Sequence, residues 1–84
     1  MSAPTLSHAM TEWRIKILNL AANGHTNAQI GARYGHTGNA INCHLQVIYR
    51  AIGANDRAHA VALGIRYGYI NPASVEPAPA RDAT

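Results

Sequence analysis

The chain has no phenylalanine, a single tryptophan, a single cysteine, and only four acids among its 84 residues. Without Phe, a core has to be assembled from Ile, Leu, Val and Ala, helped by Trp13 and the tyrosines. Trp13 is read as core or near-core, with cofactor stacking as the remote alternative. The lone Cys43 has no partner for an internal disulfide, so a disulfide framework is excluded and a reducing cytoplasm is the expected setting. No run approaches the roughly 20 apolar residues that cross a bilayer, and no membrane association is expected. Residues 1–7 lack the basic-then-apolar pattern of a signal peptide. Within residues 1–70 the acids are Glu12 and Asp56, which leaves little for acid–base catalysis. No Ser-His-Asp grouping is visible, and Gly64-Ile65-Arg66 is not a phosphate loop, so an enzyme is not expected. The histidines, His8, His25, His36, His44 and His59, are scattered without ligand spacing; no metal and no cofactor are expected.

What is present is an apolar fraction of 48%, enough for a core and too much for a disordered chain. A domain this small buries only about 60% of its unfolded surface, so it needs regular helix packing or a partner. The basic residues Arg14, Lys16, Arg33, Arg50, Arg57 and Arg66 outnumber the acids within residues 1–70, whereas the remainder carries Glu76, Arg81 and Asp82. The structured part is therefore basic, a balance that permits nucleic-acid binding without demanding it.

Glycines and cap residues divide the chain into four helix-sized segments. The first, residues 11–23, carries Trp13, Ile17, Leu20 and Ala21 at three- and four-residue spacing, with Thr11 as its cap and Asn23-Gly24 as its stop. The second opens on Thr26-Asn27-Ala28-Gln29, the spacing of a capping box, and ends at Tyr34-Gly35. The third, residues 37–52, repeats Ile41, Leu45, Ile48 and Ile52 before Gly53. The fourth starts at Asp56 and ends at Tyr67-Gly68. The expected fold is all-α, with a flexible N-terminus at residues 1–8, a helical domain at 9–70 and a disordered Pro/Ala-rich tail at 71–84. Leu6 is placed to pack back onto the domain.

The second and third segments are joined by Gly35-His36-Thr37, the outline of a helix-turn-helix, in which the second helix lies in the major groove. Helix pairs with so short a turn also occur in bundles that have no DNA role. The residue pattern says more. Met10-Thr11, Ala22-Asn23-Gly24-His25-Thr26-Asn27, Ile30-Gly31-Ala32-Arg33-Tyr34-Gly35, Ile41, His44-Leu45, Ile48-Tyr49-Arg50, Gly53, Arg57-Ala58, Ala60-Val61-Ala62 and Tyr67-Gly68-Tyr69-Ile70 follow one another without a gap. Over residues 10–70 the chain resembles the DNA-binding domain of the LuxR/GerE (FixJ/NarL) transcription regulators.

That resemblance implies a four-helix module whose third helix reads duplex DNA and whose fourth pairs two copies. Base contacts would fall to Asn42, Cys43 and Gln46, with Asn39 nearby; Asn and Gln can pair with adenine through two hydrogen bonds. Phosphate contacts would fall to Asn27, Thr37, His44, Tyr49 and Arg50, with helix packing as the other reading of His44. Cys43 reads as a small residue against a thymine methyl, or alternatively as a redox sensor. Val61, Ala62, Ile65 and Tyr69 are more apolar residues than one short helix needs to bury; some would cover the first helix, and the remainder would form a homodimer seam that Gly64 lets close tightly.

The departures from the family are on the same surface. Asn39, Asn42 and Val47 stand where relatives commonly or sometimes carry Lys or Arg, and Ala40 where they carry Thr. Arg14 and Lys16 replace acids in the first helix, and Gly38 stands at a position often acidic. Fewer cations mean weaker, less salt-dependent binding. The expected function is a stand-alone transcription regulator that binds duplex DNA in a sequence-specific way, controlled by its own expression level or by a protein partner, such as RNA polymerase or a related regulator. The alternative is an interaction module of the same fold that pairs with another regulator and titrates it.

Overall fold

The computed structural model describes residues 9–71 and 73, which form four helices and no strand. These are α1 (Glu12–Ala22), α2 (Asn27–Tyr34), α3 (Gly38–Ile52) and α4 (Arg57–Tyr67). The expectations for residues 1–8 and for most of 71–84, Leu6 included, lie outside the described residues.

Each helix starts where a short polar side chain can take up a free backbone N–H. The Thr11 hydroxyl accepts from the Arg14 N–H, that of Thr37 from Ala40, and the Asp56 carboxylate from His59. At Thr26 the exchange is reciprocal, because the Gln29 side chain accepts from the Thr26 N–H at 2.9 Å, completing the capping box. Gly35 and Gly53 end α2 and α3 in the left-handed conformation, with φ of 77° and 78°. An L-residue with a Cβ resists that conformation.

The core is aliphatic, as the missing Phe requires. Ile17, Leu18 and Leu20 of α1, Ile30 of α2 and Ile41, Leu45, Ile48 and Ile52 of α3 are buried together with Met10, Ala60 and Ile70. α3 runs through the middle and touches all three other helices. Trp13 is half-buried at the edge of the core, where its ring meets Tyr34 edge-on with centroids 4.7 Å apart.

Two glycines act by closeness. A Cβ on Gly31 would run into the backbone carbonyl of His36, so α2 approaches the turn as no residue with a side chain could. Gly64 is buried, and a Cβ there would lie 2.5 Å from Ile70 Cδ1 and 3.1 Å from Leu18 Cδ2. This corrects the expectation that Gly64 opens the outer side of α4 to a second copy: its close approach is inward, to α1 and the returning chain.

That return is fixed by Asn19. Its Nδ2 donates to the Ile15 and Tyr69 carbonyls, both at 2.8 Å, and its Oδ1 accepts from the Asn71 N–H at 2.9 Å. A buried amide so fully engaged carries no desolvation penalty of the unsatisfied kind.

Candidate nucleic-acid interface

α3 has two faces. Ile41, Leu45, Ile48 and Ile52, at steps of four, three and four, turn inward. Asn39, Asn42, Cys43, Gln46 and Arg50 are exposed on the opposite side, with Val47 half-buried at the border. The four expected base-contacting residues thus share one outward surface. Arg50 is the one cation on α3.

Thr37 stands exposed ahead of α3; its oxygen already caps the helix, and its O–H remains free to donate. Tyr49 is half-buried at the flank of the core. Burial pushes its phenol upward, partly offset by Arg57 and reinforced by Asp56, so the O–H stays protonated and able to donate. Asn27, at the first position of α2, is not free: its Oδ1 accepts from Arg57 Nη1 at 2.9 Å. Arg57 Nη2 donates to the His25 carbonyl. The guanidinium of α4 therefore clamps the entry into α2 and brings a cation beside its free N–H groups, a placement that the sequence, with partners 30 and 32 positions apart, does not disclose.

His44 points sideways, into α1. Trp13 Nε1 lies 3.4 Å from its Nε2, and Arg14 Nε lies 3.3 Å from its Nδ1. A neutral imidazole carries one N–H, so it accepts from one of these donors at a time. Arg14 is also tied by Nη1 to the Ala9 carbonyl at 3.0 Å. Burial lowers the His44 pKa from the usual 6.5, and the charges of Arg14 and His36 lower it further. The ring is a neutral contact between α1 and α3, matching the helix-packing reading of this residue.

On α4 the inward residues are Ala60 and Gly64. Ala58, Ala62 and Ile65 are exposed, Ile65 to 53%, with half-buried Val61 beside them. Tyr69 packs partly on the core through the segment that Asn19 holds, and Tyr67 is 51% exposed. Of the four expected seam residues, Ala62 and Ile65 face outward fully and Val61 and Tyr69 in part. Among the described residues no group of His, Cys, Asp and Glu could hold a metal ion, and no helix is long and apolar enough to cross a membrane.

A helix-turn-helix between two supporting helices, with a polar outer face on its second member, is matched at the sequence level by the profile of bacterial regulatory proteins of the luxR family (GerE), over residues 8–63. The chain belongs to the luxR family of bacterial regulatory proteins. Within it, the chain is 40% identical over 57 residues to the probable transcriptional regulatory protein SgaR of Hyphomicrobium methylovorum, covering 68% of this chain and 27% of SgaR. It is 35% identical over 60 residues to the transcriptional activator protein PhzR of Pseudomonas fluorescens, covering 71% of this chain and 25% of PhzR. The chain thus spans about a quarter of the length of these luxR-family relatives. No solved structure matches it significantly.

Proposed function

We propose that this luxR-family module binds duplex DNA in a sequence-specific way, with α3 in the major groove, and that two copies pair through α4. The observation that carries the reading is the outer face of α3, where Asn39, Asn42, Cys43 and Gln46 are exposed together on the second helix of a helix-turn-helix. Base edges are reached from such a face, and phosphates from its borders. Thr37, Tyr49 and Arg50 border it, and the Asn27 amide nitrogen with Arg57 lies at the start of α2. His44 serves by holding α3 against α1. The stripe Ala58, Val61, Ala62 and Ile65 repeats at three- and four-residue spacing and suits a two-fold contact.

The test is a selection of random duplexes by the purified chain at moderate salt, followed by sequencing. Enrichment of a two-fold symmetric motif is expected. A folded chain that enriches nothing would overturn the reading. A second function has its own observation: α3 has one cation on its exposed face, whereas α4 has an exposed apolar stripe. A module that titrates another regulator through α4 would lose partner binding on Ile65→Glu and be indifferent to Gln46→Ala. A DNA reader responds to both.

A further inference from the structure

We infer that the base pairs facing the first half of α3 are A·T pairs, about three in each half-site. The inference deepens the proposed function and rests on α3 lying in the major groove. Each kind of base edge demands a particular side chain. Guanine presents two acceptors and is read by Arg or Lys, cytosine presents a donor and is read by Asp or Glu, adenine pairs a donor with an acceptor and is matched by an amide, and thymine offers a methyl group. The outer face of α3 from Asn39 to Gln46 holds three amides and Cys43, and no charged side chain of either sign.

The amides are also free for the purpose. Elsewhere in the domain Asn19, Asn23, Asn27 and Gln29 are engaged with backbone or with Arg57, while Asn55, in the turn before α4, has no side-chain hydrogen bond among the described residues. Asn39, Asn42 and Gln46 are exposed and make no side-chain hydrogen bond among the described residues. Against guanine, a bidentate amide would set its oxygen against one of two acceptors, leaving both without a donor. The one cation of this face, Arg50, lies about 12 Å beyond Asn42 and about 6 Å, one turn, beyond Gln46 along the helix at 1.5 Å per residue, at the border of the face where phosphates are reached. From Asn39 to Gln46 the rise is about 10 Å, the length of roughly three base pairs. Cys43, exposed between the amides, is the small apolar contact that a thymine methyl accepts.

The experiment repeats the random-duplex selection with the full chain and with Asn42→Ala, Gln46→Ala and Gln46→Arg, each checked for helical content. The expected outcome is a half-site with a run of about three A·T pairs. Each alanine variant should relax the preference at one pair by about five- to 150-fold, the value of one bidentate contact, and Gln46→Arg should turn one A·T pair into G·C. An enriched motif with G·C pairs at these positions, untouched by the Gln46 variants, would overturn the inference while leaving DNA binding intact. Enrichment of no motif by the folded wild-type chain would overturn the DNA reading, and this inference with it.

Discussion

α3 and α4 both present an outer face, and they are held to the domain by opposite means. α3 drives four large aliphatic side chains into the core, each at most 5% exposed, and turns amides outward. α4 fully buries only the small residues Ala60 and Gly64, rests Val61 and Leu63 partly against the core, and turns Ile65 outward. One helix is anchored by volume and finished with a polar surface. The other is anchored by close approach and the partial burial of Val61 and Leu63, and Ile65 is left uncovered. Solvent is a good neighbour for the first and a poor one for the second, which is why the proposed function assigns polar recognition to α3 and apolar association to α4.

The contrast can be broken from the inside. Ile48→Ala removes an anchor with no exposure and leaves a void under α3; a loss of about 2–5 kcal/mol is expected, read from urea unfolding. In a domain whose whole stability is of that order, this approaches unfolding. Gly64→Ala attacks α4 instead, by overpacking. The added methyl meets the side-chain ends of Ile70 and Leu18, which can yield, so the expected loss is about 1–3 kcal/mol, at the low end of that range if Ile70 changes rotamer. A Gly64→Ala loss larger than that of Ile48→Ala would show that the two helices are not anchored as described.

Smaller effects sharpen the contrast on the outer faces. Ile65→Glu should leave the stability of the monomer within about 0.5 kcal/mol and abolish any concentration-dependent association in sedimentation, whereas Gln46→Ala should leave association unchanged. The smallest effect is at the flank of α3. Because the folded His44 holds a pKa below 6.5, the unfolded chain binds the extra proton first as pH falls. Its contribution is therefore fully present above about pH 6.5 and is lost as pH drops through the lower folded value. Urea unfolding at pH 7.5 and pH 5 should show this slope, and His44→Gln should flatten it.

Much of this was legible because the signals are local. Thr26 and Gln29 announce a capping box three residues apart, Gly35 and Gly53 mark left-handed stops, and the Ile41, Leu45, Ile48, Ile52 spacing defines the inner face of α3 and, by subtraction, its outer one. What was not legible depends on contacts between distant residues. Nothing near Arg57 says that it reaches Asn27 and the His25 carbonyl, and nothing near Asn19 says that it holds Tyr69 and Asn71. The direction of the His44 ring was open between groove and helix because one turn of α3 borders both. Which side of α4 Gly64 faces is illegible for a different reason: a glycine carries no polarity from which its face can be read.

The contact at Gly31 bears on how such a module can diverge. Since α2 meets the turn backbone to backbone at Gly31, that contact constrains how α2 and α3 meet alongside the packing of Ile30 and Ile41 beneath. Exchanges of Ile30 or Ile41 for another branched residue would then be expected to shift α3 less than a side chain at position 31 would. On the proposed function, the outward residues of α3 could then change target one at a time on a scaffold that keeps its aim. Position 31 is the exception to that freedom, because a single methyl there would push against a carbonyl that cannot rotate out of the way.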